Sequence, residues 1–319
     1  MLGLGLLAPP VFFPPFSLYS LHLSGTDDYV YITPNDVLRP NHTTVMGWIN
    51  IDQVYGGSGW QTQAANVNGS PSPRVETFIS CMGASSLSTV GGYSIDIKYA
   101  GTYKEPTVII QAACKVQNSN GSGGEVYTAY WGGQVSSLDT SFEPHNISSL
   151  SGWVHLAMTM DSDGLRLFVN GSNDLWNGVG PDTSGNQLVN VGSNRVMAYD
   201  VDAMRLAIGA KPLFSQSLDQ AGEEGSQGHS VSNILRGGLI DEVAIFKAAL
   251  SPERLAYITS QELLKPGLAL NYNNDGGGYD MANALIGYWK FEQSVADRSN
   301  YNSHGTMVNE PQFFTNPDV

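Results

Sequence analysis

Between Tyr19 and Leu23 the chain alternates, with Tyr19, Leu21 and Leu23 on one side and Ser20 and His22 on the other. The same two-residue period returns over Thr44–Ile51, where Val45, Gly47, Ile49 and Ile51 oppose Met46, Trp48 and Asn50. Side chains of a strand point alternately to opposite faces, so each segment predicts a strand with one face turned to a core. Further short runs rich in β-branched and aromatic residues predict strands at Thr77–Met82, Tyr93–Tyr99, Thr107–Val116, Val126–Trp131, Trp153–Met160, Leu165–Val169, Arg205–Ala210, Leu239–Phe246 and Leu285–Phe291. Asp163-Gly164 supplies the positive φ of a tight hairpin between Met160 and Leu165. One helix is predicted, from Pro252 to about Leu264, before Pro266-Gly267. Ser251 stands at its cap, Pro252 suits its first turn and Leu250 can staple onto Leu255. Arg254 occupies the place where a capping box needs Glu or Gln. The stretches 52–75, 117–147, 171–200 and 214–235 are polar and rich in Gly, Ser and Asn, which predicts long loops on the rims of a two-sheet sandwich.

Four strings carry more than a period. They are Gly25-Thr26-Asp27-Asp28-Tyr29-Val30, Gly152-Trp153-Val154-His155-Leu156-Ala157, Leu165-Arg166-Leu167-Phe168-Val169-Asn170-Gly171 and Gly238-Leu239-Ile240-Asp241-Glu242-Val243-Ala244-Ile245-Phe246. In this order, over roughly Ser17 to Leu263, they resemble the LamG-like members of the concanavalin A-like lectin/glucanase superfamily. Ala249-Leu250-Ser251-Pro252-Glu253 looks like the step that follows the Ile-Asp-Glu-Val strand in that family. The resemblance implies an all-β chain, a two-sheet antiparallel jelly-roll sandwich with one short C-terminal helix and long rim loops. Three parts follow: an apolar, Pro-rich N-terminal arm over 1–17, the sandwich over 18–264 and a C-terminal segment over 265–319.

In that last segment Leu285-Ile286-Gly287-Tyr288-Trp289-Lys290-Phe291-Glu292, Asp297-Arg298-Ser299-Asn300 and His304-Gly305-Thr306-Met307 look like the strand that ordinarily opens a LamG-like domain. Standing at the end of the chain, the strand 285–291 is expected to complete the sandwich beside its first or last strand. A truncated second domain of this length could not bury a core. The Leu-Gly-Leu-Gly start, the LamG-like body and this ending together also resemble uncharacterised tailed-phage virion proteins.

Charge narrows the partners. Fifteen basic residues against 29 acidic ones give −14, a balance that repels phosphate backbones and argues against nucleic acid. The arm has no Lys or Arg before Arg39, its prolines interrupt the apolar run, and it is too short to span a bilayer. It reads as an assembly element for a groove on a neighbouring subunit, neither a targeting peptide nor a membrane anchor. Cys81 and Cys114 fall on separate predicted strands, and their spacing leaves a bridge and two buried free thiols both open.

Catalytic signatures are missing: there is no G-x-S-x-G elbow, P-loop, G-x-G-x-x-G or H-E-x-x-H, and the six histidines are scattered. The active strand of the superfamily's glucanases resembles E-x-D-x-x-E or E-I-D-I-E. Its nearest counterpart here, Ser94-Ile95-Asp96-Ile97-Lys98, lacks both flanking carboxylates, so a two-carboxylate hydrolysis cannot run on that strand. Asp241 shares the strand period of Val243 and Ile245, the face expected to turn inward, although Ile240, Ala244 and Phe246 could claim the opposite face. The resemblance places the Gly-x-Asp-Asp loop beside the Ile-Asp-Glu strand, where some members bind calcium. Asp27, Asp28 and Asp241 are thus either ligands of a structural Ca2+ or caps on backbone N–H groups.

Trp60, Trp131 and Trp176, each beside Gly, suit sugar-stacking platforms, or else loop anchors and subunit contacts. Trp48, Trp153 and Trp289 fall within strand patterns as packing residues. The expectation is a non-enzymatic virion structural or binding protein of a tailed phage: a capsid decoration, head-fibre or tail component. Its partners would be other virion proteins or copies of itself in a homo-oligomer. The alternative is a glycan-binding lectin or adhesin, secreted and extracellular or virion-borne, with a polysaccharide-active enzyme a distant third.

Overall fold

The computed structural model describes residues 18–23, 27–33, 35–50, 74–82, 91–102, 105–131, 153–171, 188–199, 205–212, 231–235, 237–259 and 282–315. The strands are β1 (Tyr19–His22), β2 (Tyr29–Ile32), β3 (Thr43–Asn50), β4 (Arg74–Ser80), β5 (Tyr93–Thr102), β6 (Glu105–Asn118), β7 (Glu125–Trp131), β8 (Trp153–Met160) and β9 (Leu165–Val169). After them come β10 (Arg195–Met197), β11 (Leu206–Ile208), β12 (Lys211–Pro212), β13 (Val231–Ser232) and β14 (Leu239–Phe246). Helix α1 (Pro252–Thr259) precedes β15 (Leu285–Trp289), β16 (Gly305–Val308) and β17 (Gln312–Thr315).

The first sheet runs β17-β1-β14-β3-β8-β9, with β15 also on β14. The second runs β10-β6-β5-β4-β11-β2-β16, with β7 also on β6, and β12 pairs with β13 in a small ladder of its own. All pairings are antiparallel. Period-two alternation then builds the core. Val45, Ile49, Val154, Leu156 and Met158 of the first sheet meet Val30, Ile32, Ile95, Ile97, Ile110 and Ile208 of the second. The expected β-sandwich is what forms, with one α-helix among the described residues.

Helix α1 covers the other face of the first sheet. Leu255 and Ile258 pack with Met46, Ala157, Phe168 and Tyr288, and Leu250 joins them as the predicted staple. The Arg254 N–H donates to the Ser251 hydroxyl, so the cap is used. Residues 260–264 of the predicted helix lie outside the described residues. Among the described residues no helix is long and apolar enough to cross a membrane.

Strand β14 departs from its sequence period. Ile240 faces the main core, and so do Val243 and Ile245. An extra residue at Glu242, with φ at 50°, shifts the register so that Asp241 opposes Trp48 while Ala244 opposes Met46. Asp241 therefore lies on the Trp48 face, away from Val243 and Ile245, because the bulge resets the alternation. Across from the bulge, only glycine fits at Gly47: a Cβ would stand 2.8 Å from Phe78 Cζ and 3.1 Å from Val243 Cα. The Tyr288 hydroxyl donates to the Glu242 carboxylate, and Lys290 Nζ approaches it at 3.8 Å. Burial raises the Glu242 carboxyl above its ordinary value, with Lys290 pulling the other way.

The C-terminal segment belongs to both sheets. While β3 follows one edge of β14, the other edge is shared: β1 pairs with Leu239 and Ile240, and β15 with Val243 to Phe246. β16 then extends the second sheet beside β2, and β17 extends the first beside β1. The Asp-x-Ser string fastens the connection. Asp297 accepts from the backbone N–H groups of Tyr288, Ser299 and Ser303 and from the Ser299 hydroxyl, all at 2.7–2.8 Å.

Cys81 and Cys114 are both free and buried. Each flanks Tyr93 on an opposite side: the Cys81 N–H bonds Tyr93 O, and Cys114 is the register partner of Tyr93. Two strand spacings put their Cα atoms about 10 Å apart, beyond the reach of a disulfide. Burial pushes both thiols up to about 12.

Candidate functional site

The outer face of the second sheet gathers polar and aromatic side chains in one row. On β5, Tyr93, Ile95 and Ile97 enter the core, which leaves Ser94, Asp96 and Lys98 on the outside. On β6, Ile110, Ala112 and Cys114 point in, leaving Ile109, Gln111 and Ala113 out, and on β7 Ala129 points in with Tyr127 and Trp131 packed on the core. Register then aligns Thr77, Asp96, Gln111 and Tyr130 across β4, β5, β6 and β7. Three strand spacings make the row about 14 Å long.

Hydrogen bonds and charge fix this row. The Thr77 hydroxyl donates to Asp96 Oδ1 at 2.6 Å, and Lys211 Nζ meets Asp96 Oδ2 at 2.9 Å. Lys211 arrives on β12, part of the small ladder that folds over this face. The Thr77 N–H bonds Asn233 O, and Val231 and Ile234 pack on Tyr29, Ala207 and Ala210. Lys98 Nζ stands 5.5 Å from the centre of the Tyr130 ring. Its ammonium is lowered from the ordinary lysine value by burial, partly restored by Asp96 and lowered further by Lys211. Two buried polar atoms on the same face, Ser94 Oγ and Gln111 Oε1, have no hydrogen-bond partner.

This arrangement does not fit two-carboxylate chemistry. Asp96 is 2% exposed, and both its oxygens are engaged. The outer-face residues beside it, Val75 and Thr77 on β4 and Ile109, Gln111 and Ala113 on β6, include no second carboxylate. What the row does supply is a half-buried ring, amide and hydroxyl groups, and two ammonium groups.

The residues singled out from sequence are placed elsewhere. Trp131 opposes Ile110 and packs on the main core, so its ring is on the inner face and its neighbour Tyr130 is the aromatic on the outer face. Trp60 and Trp176 lie outside the described residues, as does the arm over 1–17. Among the described residues no group of three or more His, Cys, Asp or Glu side chains is placed to hold a metal ion. Asp241 Oδ1 accepts the Glu242 N–H at 2.8 Å, Asp28 Oδ1 accepts the Glu310 N–H at 3.4 Å, and the backbone oxygen of Asp27 accepts from the Asn309 side chain. Asp28, just before β2, and Asp241, on β14, each accept a backbone N–H, and they stand at different sheets. Trp48 and Trp153 form a small cluster with Leu239, and Trp289 is buried in the main core. Sequence reasoning missed Tyr130, Lys98, Gln111 and Lys211 as a group. Only Asp96 carried a signal, through its partial likeness to a glucanase strand.

No protein-family model matches the chain, and no curated protein sequence does. Solved structures do resemble it. A candidate carbohydrate-binding protein from Bacteroides ovatus is 15% identical, with a TM-score of 0.47, and the match covers 94% of this chain and 60% of that one. The CBM40 module of the Ruminococcus gnavus IT-sialidase, solved with α2,6-sialyllactose, is 12% identical with a TM-score of 0.34 over 76% of this chain and 99% of that one. Tailspike protein 2 of Escherichia coli O157:H7 bacteriophage CAB120 is 11% identical with a TM-score of 0.35, covering 85% of this chain and 30% of that one. The likeness is one of fold.

Proposed function

We propose that this chain is a non-catalytic glycan-binding module that takes saccharide on the outer face of its second sheet. The observation that carries the reading is the aligned row Thr77, Asp96, Gln111 and Tyr130, flanked by Lys98 and Lys211. A sugar presents an apolar C–H face and a rim of hydroxyls. An aromatic ring matches the first, and fixed amide and ammonium groups match the second. Asp96, tied to Thr77 and Lys211, is a positioning group in this reading and performs no acid or base step.

The test is titration of the purified chain against a panel of immobilised glycans, followed by calorimetry on the hits. Tyr130→Ala is expected to weaken binding at least about tenfold, the value of one aromatic contact. The same chain should release no reducing ends from any bound polysaccharide. Absence of binding across the panel, or binding untouched by Tyr130→Ala, overturns the proposal. A virion setting and assembly with copies of itself rest on the sequence resemblance, and stoichiometric copies in purified phage particles would establish them.

A further inference from the structure

We infer that the saccharide recognised on this face carries an acidic group, carboxylate or sulfate, held by Lys98. The inference rests on the glycan-binding reading and adds the charge of the ligand. The chain as a whole is strongly acidic, at −14, yet the outer face around Asp96 has the opposite balance. Lys211 and Asp96 form a close pair and neutralise each other. Lys98 is left as surplus positive charge: among the described residues it makes no ion pair, and its described contact is the Tyr130 ring.

Burial makes that surplus expensive. Desolvation acts on Lys98, and the nearby Lys211 ammonium adds repulsion that Asp96, already committed to Lys211, offsets only in part. A natural surface relieves such a cation by exposing it or by pairing it. Here the ammonium is half-buried over an aromatic ring, a place where an incoming anion loses little water competition and gains a charge-assisted hydrogen bond. A sugar stacked on Tyr130 would carry its acidic substituent toward Lys98, while its hydroxyls reach Gln111. An uncharged sugar leaves the cation as it was. The same geometry therefore discriminates by charge.

The experiment compares matched glycans on one array using the full chain: neutral backbones, the same backbones bearing a uronic or sialic carboxylate, and the same backbones bearing sulfate. Lys98→Met keeps the stem and removes the charge, and Lys98→Arg keeps the charge; melting curves of both variants verify folding. Wild type is expected to prefer acidic over neutral forms by about tenfold. Lys98→Met should abolish that preference, Lys98→Arg should retain most of it, and raising salt from about 0.1 M to 1 M should weaken acidic binding alone. The carboxylate and sulfate arms identify which acid is used. Equal binding of neutral and acidic forms, or a preference unchanged in Lys98→Met, overturns the inference while leaving the glycan reading standing. No binding to any arm overturns both.

Discussion

Asp297→Ala is the sharpest test of how the C-terminal segment is held. The Asp297 carboxylate is 5% exposed and accepts four hydrogen bonds, from the N–H groups of Tyr288, Ser299 and Ser303 and from the Ser299 hydroxyl. Removing it strands three backbone donors, and each unsatisfied buried donor costs about 1–3 kcal/mol. The three share one acceptor and relax together, so their costs do not add in full, and the expected loss is about 3–4 kcal/mol. Asp297→Asn keeps one carbonyl acceptor but turns an NH2 toward the Ser303 N–H and the Ser299 hydroxyl, so it should fall between Ala and wild type. The assay is urea unfolding followed by tryptophan fluorescence, since Trp289 sits in this corner with its Nε1–H on Ser303 O. The midpoint should move while the slope stays constant. A loss below about 0.5 kcal/mol, the range of an ordinary surface substitution, would refute the reasoning.

Three further outcomes are expected. Cys81 and Cys114 should resist a thiol reagent in the native chain and react, two per chain, once it is unfolded; fast native labelling would contradict their burial. His155, held down to about 3 by burial, remains neutral in the native state while the unfolded chain takes up a proton below its ordinary 6.5. Its contribution is therefore complete above pH 6.5 and is lost as pH falls toward 3, so His155→Phe should reduce the stability lost between pH 7 and 4.5 by about 2 kcal/mol. Glu242, shifted upward, titrates in the opposite sense in both proteins and drops out of that difference; identical acid profiles would refute the assignment. Gly47→Ala should cost about 1–3 kcal/mol by forcing a methyl against Phe78 and the Val243 backbone, and an unchanged melting temperature would mean that the bulge opposite it yields freely.

The strand over Thr43–Asn50 was legible from its alternation, and those over Trp153–Met160 and Leu165–Val169 from their β-branched and aromatic content, because both are local properties of the chain. The cap and staple of α1 were legible for the same kind of reason, since Ser251, Leu250 and Leu255 act within one or two turns. The strand character of Leu285–Trp289 was visible too. A place beside the first or last strand of the sandwich was expected because such strings ordinarily open a domain, and the choice of β14 appears only in the ladder itself.

Everything that depended on register was decided by tertiary structure. Period-two counting placed Asp241 with Val243 and Ile245, but one extra residue at Glu242, secured by Tyr288 and Lys290 from a distant strand, put it on the opposite face. Trp131 was singled out as a sugar platform, yet its position opposite Ile110 turns it to the core and leaves Tyr130 outside. β16 and β17 carry too little apolar pattern to be read in isolation, because each is an edge strand, completed only by its neighbour. The candidate site is the clearest case. Thr77, Asp96, Gln111, Tyr130 and Lys211 come from five strands, and no spacing along the chain encodes their meeting. The amino-acid sequence determined which segments become strands and which of their faces are apolar, because those are local properties of alternation. The partners across each ladder, and hence the composition of the outer face, follow from long-range pairing and bulges, which exist only once the chain has folded.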